Sequence, residues 1–424
     1  MSHPLINISR KQAMCFAGFL VLYQFLTYIA NDMIMPGMIH VVTSFHSDES
    51  AIATSLTAYV LGGASLQIFL GPISDRFGRR PVMLTGAALF FIFTLLIACS
   101  NSINQFLLAR FFEGMGLCFI GVIGYATLQE IFAEMDAIRL ISILANVSSL
   151  APLLGPLAGA TFILYFSWRG IFILIGVLAL IAFWGLWRYM PEPVGALKKD
   201  GQIIPRVSLA PKIVLGNYKQ LLTNPGFMTG AIVAGILNIP CIAWIAISPI
   251  IIITDANLTV IDYALWQLPI FGAGILGNWY LRKLTRNHTV KQIILIGSIF
   301  TSFGLLMAYL LPLLLSSHFL WLMPGLTLYG FGLGITSGPL NRYVLFSTAV
   351  SKGTAYAMIS MVSMCALGLG VETGKHTYAS HNNIHFGLYC AISGIMYLAG
   401  MAAIFRLARQ STNDDTNIAL PASH

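Results

Sequence analysis

Apolar residues occur in this chain as long runs separated by short polar stretches. Each run is near or above the roughly 20 residues that a helix needs to cross a lipid bilayer. The twelve runs lie at residues 12–31, 51–70, 82–99, 104–132, 139–165, 168–189, 225–253, 259–281, 290–314, 319–346, 350–373 and 384–406. The pattern therefore predicts an all-α membrane protein with twelve transmembrane helices.

The longest polar interruption, residues 190–224, divides these runs into six before it and six after it. We therefore predict an N-terminal six-helix bundle at 1–190, a cytoplasmic linker at 191–224, and a C-terminal bundle with a short cytoplasmic tail at 225–424. The stretch GPISDRFGRRPVM at 71–83 also has a weaker basic counterpart at 277–292. Together these features suggest two repeats that face each other across a central path.

The composition indicates a protein embedded in a lipid bilayer, because 57% of the 424 residues are hydrophobic and only 9% are charged. The charged share of a soluble protein is nearer a quarter. The six cysteines stand alone, without the paired spacing of a disulfide framework or a zinc site. Neither an H-E-x-x-H pattern nor a Walker sequence is present. We expect a protein that is not an enzyme and needs no metal or cofactor.

The distribution of the net charge of +8 along the chain is explained by membrane topology and does not require a nucleic-acid partner. Most Lys and Arg residues lie in alternate loops and in both tails, whereas the opposite loops offer only Arg169 and Lys375. Cytoplasmic loops carry such an excess of positive charge. We expect both termini in the cytoplasm, and no nucleic-acid partner is needed to explain the charge.

The stretch GPISDRFGRRPVM carries an ordered G-x-x-x-D-R-x-G-R-R pattern. Gly71 and Pro72 favour a sharp exit from the second helix, and the Asp75 carboxylate can pair with a nearby guanidinium. The pattern resembles the signature loop between helices two and three of the major facilitator superfamily. That resemblance implies a role in conformational gating for Gly71, Asp75, Arg76, Gly78, Arg79 and Arg80.

Two further stretches extend the resemblance. LLARFFEGMG at 107–116 is similar to a second motif of the superfamily, and APLLGPLAGA at 151–160 is similar to the motif of its drug/proton antiporters. Pro152 and Pro156 each remove a backbone donor, while Gly155 and Gly159 permit close approach of another helix. This stretch is expected either to gate the pathway or to serve ordinary helix packing. The similarity covers nearly the whole chain and fades at 190–224 and in the last dozen residues.

Asp32 lies within the otherwise largely apolar stretch 20–38, and a charge at membrane depth costs at least about 2.5–3.5 kcal/mol. Gln24, Tyr28 and Asp32 share one helix face. Arg110 lies at a similar depth, so an encounter between Asp32 and Arg110 is geometrically possible. A static ion pair is the alternative, and Glu113 could instead neutralise Arg110 from the same helix face.

Several other side chains are candidates for the path. A drug could contact Gln24, Tyr28, Asn31, Met33 and Trp244, although aromatic and methionine side chains serve packing more often than binding. Glu130 and Glu372 lie near helix ends, where we expect them to be interfacial and solvated.

The resemblance implies a multidrug/proton antiporter of the bacterial inner membrane that works by alternating access as a monomer. Its partners would be protons, small lipophilic drugs and the lipid bilayer, with the proton gradient as energy source and Asp32 and Arg110 as the proton-coupling residues. Related antiporters carry an acid where this chain has Gln24, so we expect a preference for neutral, chloramphenicol-like drugs. A proton-coupled symporter that imports a nutrient remains the alternative. A membrane receptor or scaffold is a further one.

Overall fold

The fold is described by a computed structural model for residues 4–132, 134–197, 199, 201, 203, 211–348, 350 and 352–418. Apart from one isolated bridge between Leu197 and Ile203, all regular structure in these residues is helical. The first six long helices are α1 (Arg10–Asp32), α2 (Ser50–Ser65 and Gln67–Phe77), α3 (Arg79–Ala98), α4 (Ile103–Ile131), α5 (Glu134–Ile163) and α6 (Trp168–Tyr189). The last six are α7 (Pro225–Asp255), α8 (Val260–Leu284), α9 (Val290–Leu314), α10 (Met323–Leu345), α11 (Lys352–Tyr378) and α12 (Asn383–Ile418).

These helices confirm the predicted fold class. Ten are long and apolar enough to cross a membrane, and α2 adds one more span bent by 40°. The remaining helix, α5, contributes the shorter apolar segment Leu150–Ile163 within its 30 residues. The domain boundaries at 190 and 224 stay a prediction, although α6 ends at Tyr189 and α7 begins at Pro225.

The interval between the two bundles contains a further helix, Pro211–Thr223, which we call the linker helix. The hydrophobic runs gave no sign of it because it is short and mixed in polarity. The hydroxyl of Tyr218 on this helix donates to the backbone carbonyl of Ile68 in α2, at 2.9 Å. This carbonyl lies four residues before Pro72, whose ring nitrogen has no hydrogen to donate to it. The linker helix therefore satisfies an acceptor that the proline leaves unpaired.

The prediction that α2 ends at Gly71 and Pro72 is wrong. The helix continues through Pro72 to Phe77, and the turn into α3 is made at Gly78, whose φ is +105°. A side chain at Gly78 would also lie 2.4 Å from the Glu192 carboxylate. Glycine is needed at this position both for its backbone conformation and for its lack of a side chain.

Helices α2 and α4 cross in direct backbone contact. A Cβ atom at Gly62 would lie 1.9 Å from the Phe111 carbonyl oxygen, and one at Gly114 would lie 2.0 Å from that of Tyr59. Small residues permit this approach, which larger side chains would prevent. The crossing holds Tyr59 of α2 beside Arg110 of α4.

The two bundles are in contact along α2 and α11 and at one end of the molecule. We call this end the Lys375 face, where α1 ends, α2 begins and α11 ends, and we call the opposite end the Arg79 face. At the Lys375 face, the ammonium of Lys375 donates to the hydroxyl of Thr54 in the other bundle, at 2.9 Å. The 3₁₀ turn Met35–Gly37, which follows α1, contacts both α7 and α8. Towards the Arg79 face, by contrast, Tyr356 of α11 is 42% exposed. These contacts cover the central space at the Lys375 face, whereas Tyr356 is exposed towards the Arg79 face.

The backbone contact between α2 and α4 yields a stability prediction. Gly114→Ala should lower the stability of the folded protein by about 1–3 kcal/mol, because the added methyl overlaps the Tyr59 carbonyl. Gly18→Ala is the matched control, since no atom lies within 4 Å of its added Cβ. Thermal unfolding in detergent, followed by intrinsic fluorescence, measures both. Equal unfolding temperatures for the two variants would show that α2 and α4 do not depend on this contact.

Candidate functional site

A continuous chain of polar side chains joins three helices in the N-terminal bundle. The amide nitrogen of Asn31 donates to Asp32 Oδ1 at 3.1 Å, and Asn31 Oδ1 accepts from the Arg110 guanidinium at 2.7 Å. Arg110 also forms an ion pair with Glu113 at 2.6 Å, and the other Glu113 oxygen accepts from the Thr94 hydroxyl at 2.9 Å. This chain of contacts begins at Asp32 on α1, passes through Arg110 and Glu113 on α4, and ends at Thr94 on α3.

Arg110 is completely removed from solvent. Its guanidinium carbon lies 4.4 Å from the centre of the Tyr59 ring, a cation–π contact that the α2–α4 crossing makes possible. The Tyr59 hydroxyl donates to the backbone carbonyl of Thr27 in α1. Arg110 is thus fixed by an aromatic ring, a carboxylate and an amide.

The structure does not bring Asp32 and Arg110 into direct contact, contrary to the encounter considered from the sequence. Among the described residues, Arg110 forms its ion pair with Glu113, and Asn31 lies between the guanidinium and the Asp32 carboxylate. The reason is the spacing on α4, since residues three apart face the same side of a helix. Glu113 neutralises the arginine at short range and leaves the charge of Asp32 without a directly bound cation.

Helix α5 packs onto α1 at Asp32 itself. A Cβ atom at Gly155 would lie 2.6 Å from the Asp32 Cβ, and one at Gly159 would lie 1.9 Å from the Met33 carbonyl oxygen. The helix remains continuous through Pro152 and Pro156. The two glycines of APLLGPLAGA therefore lie against the residue of α1 that carries the buried acid.

A neutral polar cluster surrounds Gln24 and Tyr28, which lie about two turns and one turn before Asp32 on α1. The Gln24 amide nitrogen donates to the Ser148 hydroxyl of α5 at 2.5 Å, while Gln24 Oε1 is buried and accepts no hydrogen bond. The Tyr28 hydroxyl interacts with Ser148 and lies near the partly exposed Tyr356 of α11. Tyr125 of α4 lies close to Gln24. Tyr28, Tyr125 and Ser148 of this cluster are partly exposed, and buried Gln24 contributes an unused acceptor.

Trp244 does not line the central space, so the packing alternative holds for it. Its side chain is completely buried in the C-terminal bundle, where the indole N–H donates to Gln267 Oε1 at 2.8 Å. Gln267 in turn donates to the Ser248 hydroxyl at 3.2 Å, and Phe386 packs against the indole. Met33 is also nearly buried, and its contribution is the backbone contact with Gly159.

Arg79 is the centre of a second charged network, at the face named after it. Its guanidinium pairs with Asp75 at 2.6 Å and with Glu130 at 2.8 Å, and it donates to the Ser74 hydroxyl at 2.6 Å. The Glu192 carboxylate accepts from the Arg79 backbone N–H at 2.9 Å. The expectation that Glu130 is solvated is wrong, because it joins α4 to this network.

The remaining residues of the signature loop have different surroundings. Arg80 donates to the Trp187 carbonyl at 2.6 Å, whereas Arg76 is exposed and lies over the Phe77 ring. Gly71 has space for a side chain, its nearest neighbour being Val122 at 3.9 Å. Glu192, which binds the start of α3, was missed from the sequence. Its position in the 190–224 interval carries no local signal that it reaches back to α3.

Near the other bundle, Asp32 meets only weakly polar neighbours. Cys241 of α7 and Tyr263 of α8 lie within electrostatic range of its carboxylate, and Asp32 is 5% exposed. Among the described residues, no group of three His, Cys, Asp or Glu side chains is placed to hold a metal ion. The chemistry available at Asp32 is the uptake and release of a proton, governed by how closely the bundles approach it.

Comparison with known proteins supplies the family context. A family model described as Major Facilitator Superfamily matches residues 20–371. The chain is 45% identical over 396 residues to a protein named multidrug transporter MdfA from Edwardsiella piscicida, covering 93% of this chain and 95% of that one. It is 43% identical over 403 residues to a protein of the same name from Escherichia coli O157:H7, with coverages of 95% and 96%.

Solved structures resemble it in fold. One is a bacterial homologue of the human lysosomal transporter Spinster in an inward-facing, unoccupied conformation, with a TM-score of 0.70 at 14% identity, covering 96% of this chain and 99% of that one. Another is a partially occluded, inward-open form of the xylose transporter XylE from E. coli, with a TM-score of 0.70 at 16% identity and coverages of 93% and 98%. With its apolar helices and bacterial relatives, the chain is a multi-pass protein of the bacterial inner membrane.

The buried pair of Arg110 and Glu113 makes a prediction about stability. Glu113→Gln should destabilise the protein by about 3–5 kcal/mol, because it leaves a buried arginine without a counter-charge. The double variant Arg110→Met/Glu113→Gln removes both charges and should recover most of that loss. Thermal unfolding of the purified proteins in detergent measures both effects. A double variant no more stable than Glu113→Gln would show that the cost does not arise from the unpaired arginine.

Proposed function

The chain belongs to the major facilitator superfamily, and from that membership and the geometry of its site we propose that it exports small lipophilic compounds in exchange for protons. The relatives named multidrug transporter MdfA are 43–45% identical and match nearly the full length, which supports export of several drugs. The coupling ion, the residues involved and the preferred drugs are part of the proposal.

The observation that carries the proposal is the position of Asp32. It is a buried carboxylate at the interface between the bundles, held by one neutral amide donor and packed against the glycines of α5. An intramembrane acid of this kind marks a proton or substrate path. Because Arg110 is already neutralised by Glu113, the charge on Asp32 is free to change without breaking an ion pair.

The cycle follows from alternating access. With both termini in the cytoplasm, the open Arg79 face would be the cytoplasmic one, and a drug would enter from there or from the inner leaflet. Drug binding beside Gln24 and Tyr28 would favour release of the proton from Asp32, and the bundles would then rock to open the Lys375 face. A proton from outside would return to Asp32 as the drug leaves. The proton gradient would supply the energy, with no cofactor and no covalent chemistry, in a protein that works as a monomer.

Antiport and symport differ in the direction of proton movement. In everted membrane vesicles energised by respiration, addition of a transported drug should release protons from the lumen if the protein is an antiporter. A symporter would instead leave the lumen as acidic as before or acidify it further. The relatives' name and the contact between α5 and Asp32 favour antiport, and lumen acidification on drug addition would overturn it.

Asp32→Asn tests the proton carrier directly. The variant should fold and reach the membrane but lose drug-induced proton release and proton-driven efflux, because an amide cannot take up and release a proton in this range. Asp48→Asn is the matched control, since Asp48 lies outside the spans and its hydrogen bond to the Ser50 N–H can be retained by an amide. Efflux at the wild-type rate in Asp32→Asn, with an intact gradient, would remove Asp32 from the mechanism.

The glycines of α5 should be needed for tight exchange. Gly155→Ala and Gly159→Ala insert a methyl against Asp32 and Met33, so helix α5 must move away from α1. We expect protein that folds but exchanges drug for protons slowly or leaks protons without drug. Vesicle proton flux with and without drug measures this, and Gly18→Ala is the control without a clash. Normal, coupled exchange in both variants would reduce these glycines to ordinary packing.

Gln24 should set the charge preference among drugs. Gln24→Glu places a negative charge in the central space and should raise transport of a cation such as ethidium by about tenfold through direct attraction. Transport of neutral chloramphenicol should change little. Gln105→Glu adds the same charge at the exposed start of α4, outside the central space, and is the matched control. Unchanged ethidium transport in Gln24→Glu at equal expression would place charge selectivity elsewhere.

A further inference from the structure

A second polar cavity lies apart from the central space, on the outer side of the N-terminal bundle at the Arg79 face. Its volume is about 810 Å³. The start of α1, the start of α3, the end of α6 and the segment after α6 enclose it. The polar side chains among those that line it are Asn7, Gln12, Arg80, Arg188, Glu192 and Lys199. This cavity has no part in the proposed drug path.

The cavity has an excess of positive charge. Arg80, Arg188 and Lys199 are three cations, and Glu192 is the one carboxylate that lines it. Glu192 is already occupied, because its oxygens accept from the backbone N–H groups of Arg79, Arg80 and Val194 at 2.9–3.0 Å. Within the described residues, neither Arg188 nor Lys199 forms an ion pair. Among the described residues, three cations therefore share this cavity with a single carboxylate, whose oxygens already accept backbone hydrogen bonds.

Arg80 also carries an unused donor. Its terminal nitrogen donates to the Trp187 carbonyl at 2.6 Å, which fixes the guanidinium, but its Nε is buried and has no partner. A buried donor without an acceptor is rare and costly. A guanidinium held in this way is suited to bind the oxygens of a phosphate group.

The surroundings of the cavity point towards lipid. Trp184 and Trp187 of α6 are about half exposed, and Phe19, Trp184 and Tyr189 form an aromatic cluster with ring centres 5.8–6.4 Å apart. Aromatic residues of this kind lie at the level of lipid headgroups. The N-terminal segment encloses the cavity, because Leu5 is hydrogen-bonded to the Ile131 carbonyl and to the Lys199 N–H.

We propose that this cavity binds a phosphate group of the bilayer, the headgroup of an anionic phospholipid, between Arg80, Arg188 and Lys199. A basic pocket between helix ends at the cytoplasmic side is a recognised form of headgroup site. The phosphate would pair with the guanidinium that the Trp187 carbonyl fixes and would supply the charge that balances Arg188 and Lys199. Free inorganic phosphate has the same chemistry and is the other source of this ligand.

The test is lipid binding to the full-length protein after removal of co-purified lipid. Native mass spectrometry with phosphatidylglycerol and with phosphatidylcholine should show one tighter phosphatidylglycerol site in the wild type. Arg188→Gln/Lys199→Gln should weaken that site by about tenfold or more, since two cations near the membrane surface are removed. Arg286→Gln removes an exposed cation of the C-terminal bundle at the same face and should leave the site unchanged.

A second variant tests the contact with Arg80, and a second ligand distinguishes a lipid headgroup from free phosphate. Arg80→Lys keeps the charge but removes the planar guanidinium, and it should also weaken phosphatidylglycerol binding if that group holds the phosphate. Titration with inorganic phosphate alone tests the soluble source. Binding of phosphate that is lost in the double variant, without any lipid preference, would support the site with a free anion as ligand. Equal binding of both lipids and of phosphate by wild type and double variant would overturn the proposal.

Discussion

The ion pair between Arg110 and Glu113 is the interaction on which the site depends. Glu113 neutralises the arginine from the same helix, so Arg110 can be completely buried as part of a neutral pair. The side-chain amide of Asn31 links the arginine to Asp32. Its oxygen accepts a hydrogen bond from Arg110, and its nitrogen donates one to the Asp32 carboxylate. Glu113 thus supplies the counter-charge of Arg110 and leaves Asp32 outside the ion pair. In the proposed mechanism, this is what allows Asp32 to exchange a proton.

Backbone contact at glycines gives that polar chain its geometry. The α2–α4 crossing at Gly62 and Gly114 places the Tyr59 ring on the Arg110 guanidinium, and the α5–α1 contact at Gly155 and Gly159 covers Asp32. Contacts this close leave little room for water beside the charges, which strengthens each electrostatic interaction. Packing and electrostatics at this site are therefore parts of a single arrangement.

The sequence predicted what depends on local pattern and failed where distant residues decide. Twelve hydrophobic runs were enough for the twelve helices, and a lone acid in an apolar run was enough to single out Asp32. Pro72 was read as a helix end, but Tyr218, 150 residues away in sequence, satisfies the carbonyl that the proline leaves unpaired. The role of Glu192 could not be predicted for the same reason, because the backbone N–H groups that it binds lie more than 100 residues earlier, at the start of α3. Trp244 is of a residue type common in binding sites, but its burial in the C-terminal bundle depends on its neighbours in the folded structure and could not be predicted from the sequence.

The two bundles differ in their buried charges, and this difference bears on the proposed coupling between protonation of Asp32 and movement of the bundles. Among residues with described side chains, every buried charged one belongs to the N-terminal bundle: Asp32, Arg79, Arg110, Glu113 and Asp136. The buried polar groups of the C-terminal bundle are neutral, such as Ser248 and Gln267. When the bundles close over Asp32, as at the Lys375 face, the neutral bundle replaces water and a charge there is costly by several kcal/mol. In the proposed antiport, a protonated Asp32 would avoid that cost, so closure of this face and protonation of the acid would favour each other. By linkage, the same free energy would couple proton binding to the direction in which the central space opens.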